Sequence, residues 1–85
     1  MKVFKKDTRT FMLNETFVLE IIDVINDTGM NDVFNLSVVR SGDKGYRLSF
    51  VTDDDVWNDI LSEFDKANFE LVLKPNQVMY LRKKA

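Results

Sequence analysis

The sequence predicts a two-layer α+β sandwich: a mostly antiparallel sheet of four or five strands with two helices on one face, in the order β-α-β-β-α-β-β. Three observations predict it. Four segments alternate apolar and polar residues at the two-residue period of a strand with one buried face. Two others place apolar residues at helical spacing behind a capping residue. No linker, low-complexity tract or repeat divides the 85 residues, so a single domain spans 1–85. Strands that are each apolar on one face need their helices on the same side.

Taken in order, residues 2–6 read as a short strand, and 9–13 extend it or pair with it. Asn14 is a good N-cap, with Glu15 in the first turn, where a carboxylate complements the helix dipole. Phe17, Ile21, Val24, Ile25 and Thr28 then recur at helical spacing, with Glu20, Asp23 and Asp27 on the opposite side. Gly29 is expected to stop this helix in the left-handed conformation, so it covers 14–29. Residues 34–40 and 46–51 alternate around the turn-forming Ser41-Gly42-Asp43-Lys44-Gly45, which makes a β-hairpin. Its inward set reads Phe34, Leu36 and Val38 with Tyr46, Leu48 and Phe50. Asn35, Ser37, Arg47 and Ser49 show on the other face.

Thr52 is expected to cap the second helix, 53–67, with Asp55 in the capping-box position. Val56, Trp57, Ile60, Leu61 and Phe64 form its apolar stripe, and Asn68 ends it. Residues 69–74 and 78–83 are two more strands, joined at the turn pair Pro75-Asn76. The expected core is Phe17, Ile21, Val24, Leu36, Val38, Leu48, Phe50, Val56, Trp57, Ile60, Leu61, Phe64, Leu71 and Leu73.

Composition narrows the function classes. There is no Cys, which removes disulfides, thiolate zinc sites and cysteine nucleophiles, and no His, the commonest general base and transition-metal ligand. No glycine-rich phosphate loop or Ser-centred motif is present, so the expectation is a protein that is not an enzyme and needs no cofactor or metal. The basic start, Met1 to Lys6, is followed by Asp7-Thr8-Arg9-Thr10 where a signal peptide needs an apolar stretch. No run approaches the roughly 18–20 apolar residues of a membrane span. A soluble, cytoplasmic protein without a membrane partner is expected.

The charges are sorted by predicted structure. The two helical segments carry Glu15, Glu20, Asp23, Asp27, Asp53, Asp54, Asp55, Asp59, Glu63 and Asp65 against one cation, Lys66. The other eleven of the 12 cations lie on strands, turns and termini. The formal charge of −2 therefore hides an expected dipole, with an acidic helix face and a basic sheet face. The sequence pI of about 5.0 separates the chain from the strongly basic domains typical of nucleic-acid binding.

Individual motifs are less telling. Asp53-Asp54-Asp55 has the carboxylates for a divalent cation, but consecutive helical positions diverge, and the first turn of a helix explains them without a ligand. Trp57 sits at core spacing. Tyr80 lies on whichever face the register of the last hairpin dictates. On the face of Arg47, Lys74 and Arg82 it would offer a stacking surface among phosphate-binding cations.

The stretch 34–84 resembles the C-terminal double-wing domain of the T-even phage middle-promoter activators of the MotA type. The likeness lies in a hairpin, then the helix Val56-Trp57-Asn58-Asp59-Ile60-Leu61-Ser62-Glu63-Phe64, then a closing hairpin. That closing hairpin reads Phe69-Glu70-Leu71-Val72-Leu73-Lys74-Pro75-Asn76-Gln77-Val78-Met79-Tyr80-Leu81-Arg82-Lys83. It covers about three-fifths of the chain as a pattern of elements, and the strands expected ahead of the first hairpin are missing or much altered. The resemblance implies a basic sheet saddle that contacts nucleic acid while the helices face away, and it assigns no individual contact residue. The chain's style also suits a phage accessory protein acting on a host system.

The expected partner is therefore nucleic acid, RNA or DNA, held by Lys5, Arg47, Lys74, Tyr80, Arg82 and Lys83, alone or within a protein complex. The alternative is a protein inhibitor or adaptor that meets a host protein through Glu20, Asp23, Asp27, Asp59 and Glu63. An uncovered terminal strand also allows a homodimer by edge pairing.

Overall fold

The computed structural model describes residues 5–76 and 78–85. Its five strands lie in the order β2-β3-β1-β5-β4. They are β1 (Lys6–Asn14), β2 (Phe34–Arg40), β3 (Gly45–Asp53), β4 (Phe69–Leu73) and β5 (Met79–Lys83). Two helices, α1 (Val18–Gly29) and α2 (Asp54–Lys66), complete the β-α-β-β-α-β-β order. Among the described residues only the β1–β5 pair is parallel, so the sheet is mixed but mostly antiparallel. The helices pack on one face of it as the second layer.

β1 settles a point the sequence leaves open, whether 9–13 extends the strand at 2–6 or pairs with it; residues 1–4 lie outside the described residues. What is described is one uninterrupted strand at the centre of the sheet. Its alternation is legible afterwards: Phe11 and Leu13, each 1% exposed, point into the helix layer, while Thr8, Thr10 and Met12 point out.

Local signals hold with small shifts. Asn14 caps as expected, its Oδ1 accepting from the Thr16 N–H at 2.9 Å, but it opens a single 3-10 turn, Glu15–Phe17, ahead of α1. The cap of α2 is Asp53, whose Oδ1 accepts from the Val56 N–H at 2.8 Å. Thr52, expected in that role, is instead fully buried at the end of β3, and its hydroxyl donates to the Asp32 carbonyl at 2.8 Å. Asn68 ends α2 in the left-handed region, φ 70°. Gly29 is the last residue of α1 but not left-handed: the chain runs on from it into a turn, the Asp32 and Val33 N–H groups both donating to its carbonyl at 3.0 Å. Its smallness serves packing, since a Cβ there would lie 2.5 Å from the Val33 Cγ2 and 3.2 Å from the Val56 Cγ1.

The core joins both layers. Phe11 of β1 meets Phe50 edge-on at 6.4 Å, Trp57 at 6.3 Å and Phe64 edge-on at 5.8 Å, and Phe17 meets Phe69 at 5.3 Å. Ile21, Ile25, Leu48, Ile60 and Leu81 fill the remainder. Trp57 is half-buried against this cluster, with the Arg9 guanidinium over its ring. Two expected core residues are not in it. Leu73 is 65% exposed at the end of β4, and Leu36 is exposed beside a β-bulge. There Asn35 takes φ 57°, and an extra residue between Phe34 and Ser37 breaks the alternation of β2. Phe34 consequently pairs with Val51 and lies on the outer face, so of the expected inward set of β2 only Val38 points inward.

Candidate nucleic-acid interface

Neither helix covers the outer face of the sheet, and the strand registers fix what it presents. One row crosses all the strands: Val39, Arg47, Met12, Tyr80 and Val72 stand side by side. Next to it, Ser37, Ser49 and Thr10 add hydroxyls. Arg82 follows Tyr80 two residues along β5, on the same face.

Tyr80 lines two grooves. One, of about 620 Å³, runs over β1 and is lined by Thr10, Met12, Arg47, Asn76, Val78 and Tyr80 among others. The other, of about 560 Å³, is lined by Lys74, Pro75, Asn76, Tyr80 and Arg82. The tight turn between β4 and β5 shapes both: the Lys74 N–H donates to the Val78 carbonyl at 2.9 Å, and the Asn76 Oδ1 accepts from the Val78 N–H at 3.3 Å. Tyr80 itself is exposed, with the Lys74 Nζ 5.4 Å from its ring centroid. The Arg82 Nε donates to the Glu70 carboxylate at 3.0 Å. Arg47, two strands and so about 10 Å from Tyr80, has no acidic partner among the described residues. Guanidinium groups that can grip phosphate thus flank a ring that can stack on a base.

The structure brings Arg47, Lys74, Tyr80 and Arg82 together and leaves out Lys5 and Lys83. Lys83 pairs with Phe69 and so faces the helices, its Nζ lying 4.4 Å over the Phe69 ring, 3.2 Å from the Ala67 carbonyl and 3.9 Å from Glu20. Lys5 sits 3.9 Å from Asp7, seven residues along the strand from Met12, or about 24 Å at strand rise. Reading whole strands as basic ignored their two faces. Arg9, Arg40, Lys83 and Lys84 turn to the helix side, where each meets a carboxylate: Asp54, Glu15, Glu20 and Asp65. Among the described strand residues the outer face keeps Lys6, Arg47, Lys74 and Arg82 against Glu70 and Asp53, the latter beside Lys6, so it is positive but less so than the strand totals imply. Thr10, Met12, Asn76 and Val78 are groove residues that the sequence reading missed. Alternation about Phe11 and Leu13 is the signal that places the first two.

On the helix side, Lys83 and Lys66 meet two of the acids of the alternative surface, Glu20 and Glu63. Asp23, Asp27 and Asp59 are exposed. Of the Asp triplet, Asp53 caps α2 and Asp54 binds the Arg9 guanidinium at 2.6 Å. Among the described residues no group of His, Cys, Asp or Glu is gathered to hold a metal ion, and no helix is long and apolar enough to cross a membrane. No family model, curated protein or solved structure matches the chain.

Proposed function

We propose that this chain is a non-enzymatic regulatory protein that engages nucleic acid, RNA or DNA, through the open face of its sheet, alone or within a protein complex. One observation carries the reading: Arg47, Lys74, Tyr80 and Arg82 share an uncovered face, with Tyr80 lining both of the grooves on it. Phosphate contacts come from the guanidinium groups and Lys74, and an unpaired base stacks on Tyr80. The resemblance to the double-wing domain supports the same face, since it implies a sheet saddle turned away from the helices. A cytoplasmic setting suits the Cys-free composition, and a phage accessory role suits the resemblance. Fluorescence anisotropy with labelled single-stranded and duplex oligonucleotides tests the proposal. Binding should weaken with salt and be lost in Arg47→Glu combined with Arg82→Glu, and a folded double variant that binds unchanged refutes it.

A second reading has its own observation. Asp23, Asp27 and Asp59 are exposed on the helix layer without a cationic partner among the described residues, and Leu19 and Met30 are 77% and 76% exposed on and just after α1. A protein inhibitor or adaptor would use that surface. Recovery of a stoichiometric protein partner that survives nuclease treatment, and is lost on reversing those acids, favours it over the sheet.

A further inference from the structure

The two edges of the sheet differ. On β2, the bulge and the left-handed Asn35 interrupt the row of backbone groups that an added strand would need. On β4 the register with β5 is unbroken from Phe69 to Leu73. The Asn68 carbonyl accepts from the Lys84 N–H and the Lys74 N–H donates to the Val78 carbonyl, both at 2.9 Å, so the even-numbered residues of β4 turn their hydrogen bonds toward β5. By strand alternation, the N–H and C=O groups of Phe69, Leu71 and Leu73 point off the sheet, where no strand lies among the described residues. Leu73 stands 65% exposed along that edge.

We propose that β4 pairs antiparallel with β4 of a second copy of this chain, about a two-fold axis at Val72. In this register Leu71 and the partner's Leu73 form a hydrogen-bonded pair, each side using backbone groups that are free in the single chain. Their side chains fall on one face, which covers the exposed Leu73. Glu70 stands opposite the partner's Lys74, and symmetry repeats that opposite-charge pair. Sliding to Leu71 against the partner's Leu71 sets Glu70 against Val72 and loses both charge pairs. Joining β4 to the partner's β2 is head-to-tail, meets the bulge, and does not close by two-fold symmetry. The β4 pairing makes one continuous sheet with both outer faces on the same side. Tyr80 and the partner's Tyr80 are then three strand spacings apart, about 14 Å. The pairing does not depend on what the outer face binds.

Sedimentation equilibrium over a wide concentration range tests it. The mass should rise with concentration toward twice the 9.9 kDa of one chain. Leu73→Pro removes an edge-facing donor without breaking a bond to β5, and should hold the mass at one chain with an unchanged circular dichroism spectrum. Lys74→Glu should weaken association by about tenfold, and adding Glu70→Lys to it should restore the dimer. A wild-type mass of one chain at every concentration overturns the proposal, as does a dimer that persists in folded Leu73→Pro. If Leu73→Pro unfolds, the charge exchange decides alone: failure of the double exchange to restore association overturns it.

Discussion

Replacing Phe11 with alanine removes the ring on which Phe50, Trp57 and Phe64 converge, at 6.4, 6.3 and 5.8 Å. The side chain is 1% exposed on the central strand, between β3 and β5, so its neighbours have little room to close over the void. Phe→Ala in such a site costs about 3–5 kcal/mol, and the lost edge-on contacts place this one toward the upper end. A chain of this length has a total stability of about 4–13 kcal/mol, so the variant should stand near the limit of folding. Urea unfolding followed by the fluorescence of Trp57 measures it. With a slope of about 1–1.5 kcal/mol per molar for so small a domain, the midpoint should fall by roughly 3 M. Leu36→Ala is the control, because that residue is exposed beside the bulge, and it should cost under about 1 kcal/mol. If Phe11→Ala costs no more than Leu36→Ala, the central position of β1 is wrong.

Other perturbations test particular contacts. Asp53→Ala should cost about 1 kcal/mol through loss of the α2 cap, measured by thermal melting. Thr52→Val keeps the shape of a fully buried side chain but strands the Asp32 carbonyl, and should cost about 1–3 kcal/mol in the same assay. Gly29→Ala should destabilise by about 1–3 kcal/mol in urea despite alanine's better helix propensity, because its Cβ would strike Val33. Lys83→Ala should leave nucleic-acid affinity within about twofold, since that side chain faces the helices, whereas Arg47→Ala should reduce it several-fold.

What was legible in the sequence is the set of elements. Asn14, Asn68 and the Ser41 to Gly45 turn announce their roles through residue chemistry, and the α2 stripe of Val56, Ile60 and Phe64 announces a buried face. Caps slip by one residue because Thr52 and Asp53 are both competent, and only the buried contact with Asp32 selects between them. Long-range pairing is harder to read. That β1 lies between β3 and β5 depends on partners more than thirty residues away, and nothing local in Thr8 to Leu13 encodes it. The bulge at Asn35 is equally silent, and it moves Phe34 to the opposite face. The candidate site was legible where one strand's alternation sufficed, as for Arg47. It failed for Lys83, because the register of the last hairpin decides which of Arg82 and Lys83 faces out.

The most direct test of the open face as the binding surface is a titration of isotope-labelled protein with a single-stranded oligonucleotide, followed residue by residue by NMR. Shifts should gather at Thr10, Met12, Arg47, Tyr80 and Arg82. With contacts from Arg47, Lys74 and Arg82, the logarithm of the affinity should fall against the logarithm of salt with a slope of about −2. An unchanged outer face, or shifts confined to Asp23, Asp27 and Asp59 on the helices, contradicts it.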